Sequence, residues 1–217
     1  MSKKFINESF SVSWMKNILP ILYATWWLGS ATSAMLGPIW AIYIARIGGD
    51  LLDAGIAFAI FSIVMGILTI FTGRIEDKIS DKRKAIILGE LVLVFGVMAY
   101  SFATTRLHVF LIQAVLGIGV AILAPAWDAL FSLSIRKGNE TSDWGFSEGG
   151  VQIAIGIGAI LGGGIAEVYG FRVLFVVMAI TQALAFLASL HILSKEHNAL
   201  SRVLVRSVKT LRTHKHS

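Results

Sequence analysis

Glu90 and Asp128 have the most chemistry to account for, because each is a carboxylate set inside a long apolar segment. A charge at the centre of a membrane span costs about 2.5–3.5 kcal/mol on insertion scales, so such a residue has a partner or a role. Asp128 falls about two turns before Arg136, near a span end where the cost is lower. It is read as a gating ion pair with the basic loop 73–84, the alternatives being a proton carrier or a solvated helix end. Glu90, about one turn into its segment, either snorkels toward the same basic cluster or is an ordinary helix-end carboxylate. The loop itself is the densest charged run in the chain. Asp77 in it suits the amides of a helix amino terminus. Lys78, Lys82 and Arg83 suit carboxylates on neighbouring helices or lipid phosphates, unless the loop only fixes orientation. Gly145-Phe146-Ser147-Glu148-Gly149 fits G-x-S-x-G. That motif makes a nucleophile only on a strand-to-helix elbow, whereas here it opens a glycine-rich helix. An intramembrane serine protease is therefore the remote alternative, and no enzyme activity is expected.

The elements that position these residues follow from composition. Of 217 residues, 56% are hydrophobic and only 15% charged, against about 25% charged in a soluble domain. Mean hydropathy is +0.76. A helix needs about 20 residues to cross a hydrocarbon core of about 30 Å. Six segments reach that length: 17–45, 54–73, 85–105, 107–135, 146–166 and 173–194. They are too long and too uniformly apolar for barrel strands, and backbone amides in lipid must be satisfied locally, so each is expected to be a helix. The absence of cysteine excludes disulfides and thiolate metal sites. No cofactor is expected, and His214 with His216 is a weak metal signal better read as a solvated tail.

Lys and Arg set the orientation, because cytoplasmic loops carry their excess. With the amino terminus inside, only Arg46, Arg106 and Arg172 of the 19 basic residues fall outside. Both termini are thus expected in the cytoplasm, in a plasma (inner) membrane. The net charge of +6 follows from this distribution and does not call for nucleic acid. Sequons at Asn7 and Asn139 fall inside and are expected to be silent. The chain divides into an inner segment 1–16, a six-span bundle 17–194 and a basic tail 195–217. Within the tail, Leu200, Val203, Leu204, Val208 and Leu211 share one face opposite Arg202, Arg206 and Lys209, which fits an interfacial helix on anionic lipid. The alternative is a disordered basic tail.

A shift of 90 residues lays Gly48, Asp53 and Gly55 on Gly138, Asp143 and Gly145. It also lays Gly73, Ile75, Asp77, Ser80 and Lys82 on Gly163, Ile165, Glu167, Gly170 and Arg172. A slightly smaller shift lays Pro38-Ile39-Trp40 on Pro125-Ala126-Trp127. With three spans between copies the second is upside down, the pattern of an inverted-topology repeat. In span five, Gly150, Ala154, Gly158 and Gly162 recur every four residues, giving a smooth face for close helix approach.

Gly73, Ile75, Asp77, Lys78, Lys82 and Arg83 resemble the loop G-x-L-x-D-R-x-G-R-R between the second and third spans of the major facilitator superfamily. Ser80 departs from the expected glycine, and Asp81 resembles a one-residue insertion before the basic pair. Leu36-Gly37-Pro38 through Tyr43 and Ile47-Gly48 is similar to drug-efflux-like branches, and Gly170-Phe171-Arg172 with Phe175 to the family's start of span six. The resemblance covers one six-helix half of a twelve-helix transporter. It implies an all-α membrane fold of two inverted three-helix repeats, a small-molecule solute, surrounding lipid, and a second six-helix half or a homodimer partner. A non-transporting partner or remnant is the alternative. It implies that Asp77 helps hold the cytoplasmic side closed, and that spans one and four line the cavity. The candidate lining is then Trp26, Trp27, Ser30, Ser33 and Gln113, with Gln152 from span five, although both tryptophans also suit packing or an interface. Antiporter-type relatives carry Gly-Pro where this chain has Ala159 and Ile160, and proton-coupled relatives carry Arg where it has Gln113. The resemblance therefore leaves ion coupling open.

Overall fold

The computed structural model describes the backbone of residues 18–78 and 81–213 and the side chains of 18–78 and 81–192. The expectations for Lys3, Lys4, Asn7, Lys16, Ser80, His214, His216 and the tail's two faces lie outside the described residues. Every element among the described residues is helical. Six helices are long and apolar enough to cross a membrane, with mean hydropathy between 1.3 and 2.4.

Span one, expected to be continuous, is broken. Helix α1 (Leu19–Leu36) ends in a 3-10 turn, Gly37–Ile39, before α2 (Trp40–Arg46). Pro38 is the cause, since it lacks an N–H and its ring clashes with the preceding turn. Pro20 sits at the first turn of α1, where its missing N–H costs nothing. Trp40 Nε1 donates to the Ala54 carbonyl at 3.2 Å and ties α2 to span two. That span, α3 (Leu51–Glu76), starts on a reciprocal capping box: Asp50 Oδ1 accepts from the Asp53 amide at 2.8 Å and Asp53 Oδ2 from the Asp50 amide at 3.1 Å. Helix α4 (Arg83–Ala99) extends through a 3-10 turn at Tyr100–Phe102. Helices α5 (Arg106–Ser134), α6 (Glu140–Tyr169) and α7 (Phe171–Thr213) complete the bundle, with 171–192 the spanning part of α7.

The packing pairs are related as the repeat requires. Helix α1 packs on α6 as α5 packs on α3, α5 packs on α4 as α1 packs on α7, and α4 meets α7 at the centre. The turns agree in detail. Gly48 and Gly138, 90 residues apart, have φ of 82° and 84°, a left-handed conformation that favours glycine. Each precedes an acid-rich helix start. Asp53 then pairs with Arg106 at 3.3 Å, while its counterpart Asp143 takes the Arg136 guanidinium and accepts from the Arg136 backbone amide at 2.8 Å. The Asp143 side chain is 1% exposed and that of Asp53 10%. Asp143→Asn is accordingly expected to lower the thermal unfolding midpoint in detergent more than Asp53→Asn does. Equal midpoints would mean the deeper burial of Asp143 carries no extra stability.

Two apolar clusters close the bundle at its ends. One gathers Leu22, Tyr23, Ile86, Trp127 and Phe131; the other gathers Tyr43, Ile44, Tyr100, Leu174 and Phe175. The smooth face of span five lies against span one. A Cβ on Gly158 would meet the Ala31 backbone, one on Gly162 the Met35 backbone, and one on Gly150 the Trp27 ring. Ala154 sits partly buried between them. Outward, α3 exposes Ile63, Ile67, Ile70 and Phe71, as a helix facing hydrocarbon or another apolar bundle does.

Candidate functional site: a cavity within the six-helix bundle

Between the end clusters lies a cavity of about 550 Å³ to which all six spans contribute. That is within the size range of small-molecule sites, about 300–1,000 Å³. Its walls are aromatic and aliphatic, including Trp26, Trp40, Phe58, Phe61, Leu93 and Leu123. The polar groups are few. Thr25, Thr32 and Ser30 donate their hydroxyls to carbonyls one turn back, at 3.0, 2.9 and 2.7 Å, so they present lone pairs inward. Gln113 is buried and makes no hydrogen bond among the described residues. Glu90 lies on the wall, 1% exposed, with Oε2 accepting from Gln182 Nε2 at 2.7 Å.

Trp26, Ser30, Ser33 and Gln113 are among the lining residues. Trp27 and Gln152 are not. Trp27 turns to span five, where Nε1 donates to the Ser147 carbonyl at 3.0 Å and the ring covers Gly150. The physical reason is phase: Trp26, Ser30 and Ser33 share one helix stripe, and Trp27 lies about 100° away on the stripe that meets α6. Gln152 is exposed, about 200° around its helix from Gly150. Glu90 does not snorkel to the basic loop and is not a helix-end group; α4 carries it into the centre of the bundle, facing α7. The partner, Gln182, was not singled out from sequence. Its 92-residue separation from Glu90, close to the repeat offset, was the available signal. Asp128 does not pair with the loop. It is exposed, makes no hydrogen bond or ion pair among the described residues, and the charge it senses is that of Glu148.

The family model of the Major Facilitator Superfamily matches residues 22–213, nearly the whole described chain. The chain belongs to that superfamily. An uncharacterised MFS-type transporter of Methanocaldococcus jannaschii is 25% identical over 153 residues, covering 69% of this chain and 39% of the relative. Multidrug resistance protein MdtG of Proteus mirabilis is 23% identical over 198 residues, covering 88% of this chain and 48% of the relative. A crystal structure of the peptide transporter POT in complex with sulfate superposes with a TM-score of 0.60 at 19% identity, over 90% of this chain and 44% of that one. That likeness is one of fold. The chain spans about half the length, or less, of the relatives it matches.

The superfamily loop between spans two and three has local structure of its own. Gly73 lies in the last turn of α3, and its carbonyl accepts from the Asp77 amide at 3.0 Å. Asp77 and Lys78 are exposed, and the Asp77 carboxylate makes no hydrogen bond among the described residues. Lys82 Nζ donates to the Glu76 carbonyl at 3.1 Å, folding the loop back on the helix. Asp81 accepts from both Nε and the backbone amide of Arg83. Burial pushes the Asp81 carboxyl up, but the Arg83 hydrogen bonds and the charges of Arg83 and Lys84 outweigh it and hold the group below the usual carboxylate range. On the opposite face, Glu167 and Arg172 of the repeat echo are both exposed, flanking Gly170 at φ 80°.

Ser147 does not sit on a nucleophile elbow. It is inside α6, fully buried, with Oγ unpartnered, while His191 is bonded to the Leu187 carbonyl of its own helix. The serine motif here is a helix-packing segment under Tyr23 and Trp27.

Proposed function

We propose that this chain is the six-helix half of a secondary transporter that moves a small amphipathic solute by alternating access against a second six-helix half. A separate chain or a second copy would supply that half. The observation that carries the reading is the cavity: a space of drug-sized volume, built by all six spans, with aromatic walls and a few polar groups. The name multidrug resistance protein on one relative favours efflux of such a solute. The charge distribution favours an inner membrane with both termini in the cytoplasm, which places the loop 73–84 on the inner face and Arg46, Arg106 and Arg172 on the outer face. The exposed Asp77 is then available to a helix amino terminus of the second half, closing the inner side, with Glu167 and Arg172 as the outer counterparts.

Flux of fluorescent amphipathic solutes into liposomes holding the purified protein, with and without a pH gradient, tests the reading. Transport is expected, and its absence for every solute would leave the non-transporting partner in its place. Asp77→Asn is expected to shift the inward-open to outward-open ratio by up to about fivefold, the equivalent of about 1 kcal/mol of lost helix-terminus attraction. Cross-linking across the two mouths of the cavity reads that ratio, and an unchanged ratio would remove Asp77 from the gate.

A further inference from the structure

We propose that Glu90 makes this cavity a site for an amphipathic organic cation, with Gln182 as the residue that positions the carboxylate. The inference names the solute class of the transport site proposed above and rests on that reading for its biological meaning.

The argument begins with charge. Among the described residues that line the cavity, Glu90 is the only one with a formal charge, and none is Lys, Arg or His. Its only hydrogen bond among the described residues comes from a neutral amide, which orients the carboxyl group but brings no counter-charge. A carboxylate shut away from water without a cation is costly, and a cation entering the cavity removes that cost. The hydrogen-bonding capacity of the wall is mixed. The hydroxyls of Thr25, Ser30 and Thr32 spend their donors on their own helices and leave acceptor lone pairs. Neutral donors are present as well: the Gln113 amide, the Ser33 hydroxyl, the Trp26 indole N–H and the Tyr100 hydroxyl line the cavity with no hydrogen bond among the described residues. With neutral donors and acceptors both available, the carboxylate of Glu90, unmatched by any cationic side chain on the described wall, is what favours an ammonium-type solute over an anion. The aromatic lining agrees with both halves of an amphipathic cation. The rings of Trp26, Trp40 and Tyr100 offer apolar area, and their faces attract a positive group.

Gln182 is suited to the positioning role by its place in the fold. It and Glu90 face each other from α7 and α4, 92 residues apart, so the pair sits close to the pseudo-two-fold axis where spans three and six meet. Glu90 lies on the cavity wall and belongs to neither end cluster.

The test compares two ions of like shape and opposite charge, tetraphenylphosphonium and tetraphenylborate. Each is titrated into the full chain in nanodiscs of zwitterionic phosphatidylcholine, with empty discs as the background for partitioning into lipid. Trp26 and Trp40 line the cavity, so quenching of tryptophan fluorescence reads occupancy. The native chain is expected to bind the cation about tenfold or more tightly than the anion. Glu90→Gln, which still accepts from Gln182, is expected to keep its unfolding midpoint and lose about tenfold in cation affinity, with the anion no weaker. Gln152→Leu, away from the cavity, is expected to change neither. Native binding of both ions alike, or of neither, overturns the proposal. So does a Glu90→Gln chain that holds the cation as well as the native one, in which case Glu90 is a structural tie between spans three and six. Failure of the transport reading looks different: cation-selective binding without flux sinks transport and keeps the site, whereas flux of neutral or anionic solutes without cation preference does the reverse.

Discussion

Gly162→Val is expected to keep the chain from assembling its bundle, with a loss of about 3 kcal/mol or more, the upper end of what overpacking costs. The effect is set by what the new side chain meets. A Cβ at this position falls on the carbonyl oxygen, carbonyl carbon and Cα of Met35, all backbone atoms of α1 that no rotamer change can move. Relief requires the two helices to separate, which also opens Gly158 on Ala31 and the wall of the cavity. Gly150→Val is expected to be milder, because its neighbour is the Trp27 ring, a side chain that can give way. The controls lie in the same helix. Gly156 and Gly164 have nothing within 4 Å of an added Cβ, so Ala at either is neutral or stabilising by up to about 1 kcal/mol through helix propensity. The inverted repeat supplies a further control. Gly117 of α5 meets the Phe61 and Met65 backbone of α3 less closely than Gly158 and Gly162 meet α1, so Gly117→Val should show a defect of the same kind but smaller. Yield of monodisperse protein and its unfolding midpoint in detergent read all of these. A Gly162→Val chain that melts with Gly164→Ala would show that α1 and α6 do not pack through this stripe.

The same stripe shows what sequence could and could not reveal. Six apolar segments, the break in charge at 73–84 and the 90-residue repeat are one-dimensional signals, and they carry span number, helix class and the inverted relation of the two three-helix repeats. Gly48 and Gly138 are the clearest example, since a shared need for positive φ is a property of the local chain. Helix rotation is not local, and the errors are of that kind. Trp26 and Trp27 are adjacent and chemically equal, yet one lines the cavity and the other covers Gly150. Their assignment follows once the i, i+4, i+8 stripe of small residues in α6 is matched to α1, which makes Trp27, Ala31 and Met35 a packing face and leaves Trp26, Ser30 and Ser33 for the cavity wall. The depth of Glu90 along its own span does not reveal the element it faces, α7. For Asp128, the neighbouring Trp127 takes the buried face and leaves the carboxylate exposed, the solvated alternative among its sequence readings.

Trp127 carries the second large effect, and it joins stability to the cavity. The residue is 1% exposed, stacked on Phe131 with centroids 4.8 Å apart and on Trp26 at 4.7 Å. Its Nε1 donates to the Leu22 carbonyl at 3.1 Å, bridging α5 to α1. Trp127→Ala removes the contact that fixes the Trp26 ring, and the loss for such a truncation is about 3–5 kcal/mol. Trp127→Phe keeps most of the stacking and gives up the indole N–H. The Leu22 carbonyl still accepts from Thr25 Oγ1 at 3.0 Å, so it is not orphaned, and the cost should be about 1 kcal/mol. Because Trp26 lines the cavity from the other side of that stack, Trp127→Ala is also expected to weaken binding of the tetraphenylphosphonium probe, while Trp127→Phe leaves it close to native. Unfolding midpoints with probe titrations on the two variants separate the contributions. If Ala and Phe destabilise equally, the indole hydrogen bond and not the stack holds spans one and four together; if Ala melts early yet binds normally, Trp26 keeps its place without Trp127.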